Sequence, residues 1–242
     1  MSDNFIPITN LPSQCLPYEG INPGDIKARA YQGGEEEYLS QINPLNLETN
    51  YLEVMKRVIQ GIDPERLTLG DRLYIIVWEC INSYTDIIRI KTICTHCLKE
   101  VEISIDLKQL EVIKLPDNFK EPYPIPLPSG KKVELRLLTV GDELKIEKYR
   151  QKHPESIQSY RYARSIVSED DILKRLEEYM KMGAKDTATI RAFHEKFYHG
   201  PNMSTVFECP KCGREDDIDI PFRLDLLFPD GEVLTSTFGK EF

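Results

Sequence analysis

No apolar run in this 242-residue chain approaches the roughly 20 residues that a membrane helix needs. The opening Met1-Ser-Asp-Asn lacks the basic and apolar regions of a secretory leader, which predicts a chain that stays in a cytoplasm. A basic excess is also missing: 31 Lys and Arg stand against 40 Asp and Glu, a net charge of −9. Neutralising phosphates requires a cationic face, so this balance argues against a nucleic-acid surface. Signatures of catalysis are absent too. Gly33-Gly34 has no lysine of a phosphate-binding loop, and there is no nucleophile elbow. His194-Glu-Lys-Phe-Tyr-His199 falls short of a zinc-protease helix, because that motif needs histidines at i and i+4. A gap of five sets the rings about 140° apart at about 100° per residue, on different helix faces. The sequence predicts no enzyme.

Cysteine is scarce but patterned. Of six, Cys15 and Cys80 stand alone, and a reducing compartment suits that count. The others form Cys94-Thr-His-Cys97 and Cys209-Pro-Lys-Cys212, each between strand-like runs: Ile87–Lys91 and Val101–Ile105 around the first, Thr205–Glu208 and Asp217–Ile220 around the second. A C-x-x-C on a hairpin tip aims two thiolates at one point, and two tips supply the four sulfurs of a closed, structural Zn²⁺ site. Gly213 follows the second pair and can take the positive φ that turns backbone N–H groups towards sulfur. An ordinary zinc ribbon separates its pairs by roughly 12 to 20 residues. Here positions 98–208, 111 residues, intervene, so a shared metal on Cys94, Cys97, Cys209 and Cys212 would clip distant parts of the chain together. The alternative is two independent hairpins with reduced thiols. A redox dithiol fits less well, because such motifs sit at a helix N-terminus.

Along the chain, residues 1–47 carry prolines at 12, 17, 23 and 44 and read as an extended arm, with a short strand at 26–31 and a helix at 35–42. Residues 48–114 combine two amphipathic helices, at 48–60 and from Thr68, with the first knuckle hairpin; threonine at N-cap and Asp71 at N3 make the second start a capping box. Residues 115–130 hold five prolines before Ser129-Gly130 and predict a stiff polyproline connector. Residues 131–204 give a strand at 131–138, a capping box at Thr139, and helices at 142–151, 155–167, 169–182 and 186–199, the last capped by Asp186. Residues 205–242 hold the second hairpin and an extended tail with a turn at Asp230-Gly231, and 48–242 is expected to form one compact unit. The predicted fold class is α+β: a helical bundle region with short antiparallel hairpins, joined by a split zinc-ribbon-like site of four cysteines. One echo runs through it. Ile26–Glu36 matches Val133–Glu143 at an offset of 107, pairing Arg29 with Arg136, Gly34 with Gly141 and Glu36 with Glu143. A Leu-Pro-Ser precedes each, at 11–13 and 127–129.

These features together resemble the T-even-type (T4-like) bacteriophage baseplate hub and hub-assembly proteins. The residues that carry the likeness are Leu11–Ser13 with Ile26–Leu39, the stretch around Cys94–Cys97, Leu127–Ile146 and Cys209–Cys212. The resemblance implies a structural virion or tail-assembly protein without chemistry. It would bind other baseplate or hub proteins in a multi-subunit assembly, away from nucleic acid and membrane. It would reside in the tail baseplate or, during assembly, in the bacterial host cytoplasm. The alternative of another class is a zinc-ribbon adaptor in nucleic-acid processing. Arg89, Lys91, Lys99, Lys211 and Arg214 around the knuckles would serve it, and Glu208, Glu215, Asp216 and Asp217 oppose it.

Overall fold

The computed structural model describes residues 4–42 and 46–220; the expected extended tail and the turn at Asp230-Gly231 lie outside them. In chain order the elements are β1 (Ile6–Pro7), β2 (Lys27–Ala28), α1 (Gly33–Ser40), α2 (Leu47–Val58), β3 (Ile59–Gln60), α3 (Leu69–Ser83), β4 (Ile87–Ile93), β5 (Glu100–Asp106), β6 (Val112–Ile113), β7 (Tyr123–Pro126), β8 (Lys132–Leu135), α4 (Val140–Arg150), α5 (Ile157–Ser165), α6 (Ile172–Met180), α7 (Ala184–Lys196), β9 (Gly200–Pro201), β10 (Ser204–Glu208) and β11 (Glu215–Asp219). The fold mixes helices with short antiparallel strands. Three strands order as β1-β2-β3, and β4-β5, β6-β9, β7-β8 and β10-β11 are two-stranded pairs. No helix among the described residues is long and apolar enough to cross a membrane.

The described residues form two apolar cores. In the first, α2 contributes Tyr51, Val54, Met55 and Val58, and α3 contributes Ile75, Ile76, Val77 and Cys80. Both are helices whose apolar residues recur at i, i+3, i+4 and i+7. The β4-β5 hairpin alternates faithfully, sending Ile88, Ile90, Val101, Ile103 and Ile105 into the same core. Irregular chain joins them: Ile8, Leu11, Cys15, Tyr18 and Ile26 are buried there as well. The second core gathers α4 to α7 around Ile146, Ala163, Leu176, Ile190 and Phe193. The proline-rich stretch is part of it, through Leu115, Phe119 and Leu127, and its Tyr123–Pro126 pairs with β8. Proline lacks an N–H, so such a segment belongs at a sheet edge, where a two-stranded pair places it.

The strand expected at 131–138 is shorter because Arg136 leaves the ladder. Its guanidinium turns back on Asp142, and its N–H donates to Ser165 (2.9 Å). Asp186 is not the cap of α7. Gly183 is, and Asp186 occupies the third helical position, accepting 3.0 Å from the N–H of Ser129.

These details expose a repeat larger than the echo in sequence. Arg29 grips Glu35 with both terminal nitrogens and also donates to its neighbour's carbonyl, Ala30. Arg136 does the same with Asp142 and Leu137. The N–H of Arg29 donates to Val58, that of Arg136 to Ser165, and capping boxes open α1 at Gln32/Glu35 and α4 at Thr139/Asp142, all at the offset of 107. Beyond α6, which only the second copy has, the offset becomes 115 and persists. The caps Thr68 and Gly183, the acids Asp71 and Asp186, and both cysteine pairs correspond. Asp71 accepts from the N–H of Ser13 as Asp186 accepts from that of Ser129, one serine from each Leu-Pro-Ser. One unit, strand pair, three helices and knuckle hairpin, is thus built twice.

The correspondence extends to two buried titratable groups, Glu79 and His194, at one position of the third helix. Glu79 is fully buried, and among the described residues neither oxygen finds a hydrogen-bond partner. Burial pushes its carboxyl up to about 9, with Arg29 opposing. A carboxyl raised above its unfolded value binds a proton in the folded state that the unfolded chain has released. Stability should therefore fall as pH rises from about 4.5 towards 9, by about 3 kcal/mol at pH 7. Glu79→Gln should melt higher than the parent at pH 8 and close to it at pH 4.5, by calorimetry. A variant less stable at both pH values would show that the carboxyl has a partner after all.

Candidate metal centre

Each knuckle is a tight turn closed the same way. The N–H of Cys94 donates to Lys99 (3.1 Å) and that of Leu98 to Cys94 (2.9 Å); the N–H of Cys209 donates to Arg214 (2.8 Å) and that of Gly213 to Cys209 (2.8 Å). The residue after the second cysteine is left-handed in both, Leu98 at φ +56° and Gly213 at φ +68°. The hairpins β4-β5 and β10-β11 register Ile93 opposite Glu100 and Glu208 opposite Glu215, which places the tips directly above the last strand pair.

The tips meet. All four sulfurs lie within 4.8 Å of one another, with Cys94 Sγ 3.9 Å from Cys212 and Cys97 Sγ 3.8 Å from Cys209. A tetrahedron with Zn–S bonds of about 2.3 Å has edges of about 3.8 Å, so the two cross-hairpin pairs Cys94–Cys212 and Cys97–Cys209 stand at the spacing such an ion requires. Cys94 and Cys209 are buried and Cys212 is exposed, so the centre lies at the rim of the first core. The thiols are electrostatically frustrated without a cation. Burial opposes ionisation of Cys209, but the N–H groups of Lys211 and Cys212 and the sulfurs of Cys212 and Cys94 outweigh it and bring it down to about 7. At Cys94 the N–H groups of Cys97 and His96 favour thiolate, yet burial and the Cys209 and Cys97 sulfurs push it up to about 12. Four ligands so close can all be thiolates only around a positive ion. The donor set and spacing fit a soft tetrahedral ion such as Zn²⁺.

Side chains cross between the knuckles. Asp216 accepts from the N–H (2.7 Å) and hydroxyl (2.9 Å) of Thr95, and His96 Nε2 lies 2.9 Å from the Glu215 carbonyl. His96 is therefore engaged outside the sulfur cluster. Sequence reasoning brought the four cysteines together but missed the Thr95–Asp216 strap. A hydroxyl and a carboxylate 121 positions apart carry no local signal.

His194 and His199 behave differently from the helical expectation. α7 ends at Lys196, so His199 lies beyond the helix, and both rings line one cavity of about 310 Å³ with Leu69, Leu73 and Arg161. His199 Nε2 lies 2.7 Å from Thr68 Oγ1 and its Nδ1 3.0 Å from the Phe197 carbonyl. Among the described residues, no grouping with metal-binding spacing other than the four cysteines occurs.

Comparison with known proteins gives one result. A family model described as T4 bacteriophage base plate protein matches residues 15–228. No curated protein and no solved structure matches the chain.

Proposed function

Since the chain belongs to the T4 bacteriophage base plate protein family, we propose that it is a non-enzymatic hub or hub-assembly protein of a contractile phage tail, binding other baseplate proteins and stiffened by a structural zinc clip. The family match over residues 15–228 carries the baseplate part of this reading. The four-cysteine cluster supports the clip: four thiolates fill a tetrahedral ion and leave no open position for substrate or water. The nucleic-acid adaptor gains nothing from the site. Glu208, Glu215 and Asp217 stand exposed beside the second knuckle of a chain with net charge −9.

The test is genetic and structural. Phage in which the gene for this chain carries an early stop codon should yield heads and free tail proteins but no assembled baseplates by electron microscopy, restored when the chain is supplied in trans. Normal tails in its absence would end the baseplate-assembly reading.

A further inference from the structure

A strand at a sheet edge shows a row of N–H and C=O groups on which another chain can add as a strand. The hairpins β4-β5 and β10-β11 meet that hazard with charge. Arg89 and Lys91 stand exposed on β4, Glu100 and Glu102 on β5, Glu208 on β10, and Glu215, Asp217 and Asp219 on β11. The strand β7 carries no charge. Its residues are Tyr123, Pro124, Ile125 and Pro126, and Tyr123 and Ile125 pack on the second core. An apolar, uncharged strand at an edge is the kind most prone to pair with another chain.

Among the described residues β7 pairs only with β8, so its other side is an edge. The far side of β8 is covered. Glu134 accepts there from the N–H of Val167 (2.8 Å), and the N–H of Arg136 donates to Ser165 (2.9 Å). Backbone groups of successive residues point to opposite sides of a strand, so Val133 and Leu135 of β8 face β7. Opposite them stand Ile125 and Tyr123, and Leu127 continues the same ladder by donating to Lys131 (2.7 Å). The groups of residues 122, 124 and 126 therefore point to the open side, and all three are proline. Their carbonyls remain there as acceptors, but that edge has no N–H to donate. All three rings stand exposed, so filling the core does not require them.

The first unit uses the same position. Pro7 stands opposite Lys27 as Pro124 stands opposite Glu134, and Lys27 and Glu134 are counterparts at the offset of 107. There β1 is only two residues long and carries one proline. A very short edge is a poor template by itself. On the four residues of β7 and the residue before them, proline recurs at every outward position. The prolines follow the length of edge to be closed.

We propose that Pro122, Pro124 and Pro126 form an edge seal, which stops β7 from accepting a further strand, first of all the β7 of a second copy. This goes beyond the baseplate reading and stands without it. Wherever copies of the chain crowd together, the seal confines their contacts to surfaces other than this sheet.

The experiment gives the edge its donors back. Full chains of wild type, Pro124→Thr/Pro126→Thr and Pro124→Lys/Pro126→Lys are compared by sedimentation velocity over a wide range of concentration. The threonine variant should keep the metal content and melting temperature of wild type, yet associate at concentrations where wild type does not. Its amides at 124 and 126 should exchange at least roughly tenfold more slowly in concentrated than in dilute samples, because they pair across the new contact. The lysine variant has the same N–H groups behind like charges and should sediment as wild type does. If the threonine variant fails to fold, Pro126→Thr alone, at the end of the strand, is read in its place. Failure of that chain too would make the prolines a requirement of the fold and overturn the seal. A folded threonine variant that associates no more than wild type overturns it as well. So does association that leaves the new amides unprotected, or that the lysine variant shares. None of these outcomes touches the baseplate reading, which the stop-codon phage tests.

Discussion

Purified protein should contain one zinc per chain, and either Cys97→Ser or Cys212→Ser should lose both the metal and a large part of the stability. The two cysteines come from different hairpins, yet each stands 3.8–3.9 Å from a sulfur of the opposite hairpin. Loss of either therefore leaves three donors and opens a clip between segments more than a hundred residues apart. For a covalent cross-link over about 100 residues the entropic stabilisation is about 4.7 kcal/mol, and a tightly held ion acts on the unfolded chain in the same sense. A loss of about 4–5 kcal/mol is a large share of the 5–15 kcal/mol typical of folded proteins. In a chain this long it corresponds to a fall in Tm of about 10–20 °C. Elemental analysis and scanning calorimetry measure both. A reddish protein with iron would keep the clip and change the ion, since tetrahedral sulfur accepts either. No metal, or two metals retained independently in the variants, would refute the clip.

How far the sequence announces this architecture depends on which interactions are local. The knuckle hairpins, α2 and α3 were legible because each writes its own period: alternation through Ile88 and Ile90, a 3.6-residue stripe through Val54, Met55 and Val58. The duplication was half legible. Arg29 and Arg136 sit in matching strings, but the eight residues by which the offset grows across α6 hide the fact that Cys94 and Cys209 are also counterparts. Asp186 looked like a cap because acids at helix starts usually are, and only the fold reveals that its carboxylate serves Ser129. The family to which the chain belongs bears out the T4-like baseplate part of the resemblance carried by these fragments, and the hub assignment stays a proposal.

Least legible was the burial of the N-terminal segment, and it leads to the second large effect. Proline and glycine spacing marks residues 4–32 as poor in regular structure, and it is; a sequence without a period says nothing about burial. Asp71 is completely buried and collects the N–H of Ser13 (2.8 Å), the Ser13 hydroxyl and the Tyr18 hydroxyl (2.5 Å), while the Tyr18 oxygen accepts from the N–H of Thr68 (2.9 Å). Through Thr68 the network reaches His199, so one buried carboxylate ties the segment, the start of α3 and the chain beyond α7 together. Removing residues 1–20 would strip Ile8, Leu11, Cys15 and Tyr18 from the first core and leave the buried Asp71 carboxyl without those donors. Four apolar side chains at about 1.5–3 kcal/mol each already rival the whole stability of a domain. The truncated chain should therefore fail to fold instead of merely assembling poorly. Asp71→Ala, a point change that keeps the segment, should cost about 3–5 kcal/mol by orphaning Ser13 and Tyr18 together. Urea unfolding followed by circular dichroism measures both. A truncated chain with the parent's midpoint and metal content would mean that the segment is held for its partners and not for this fold.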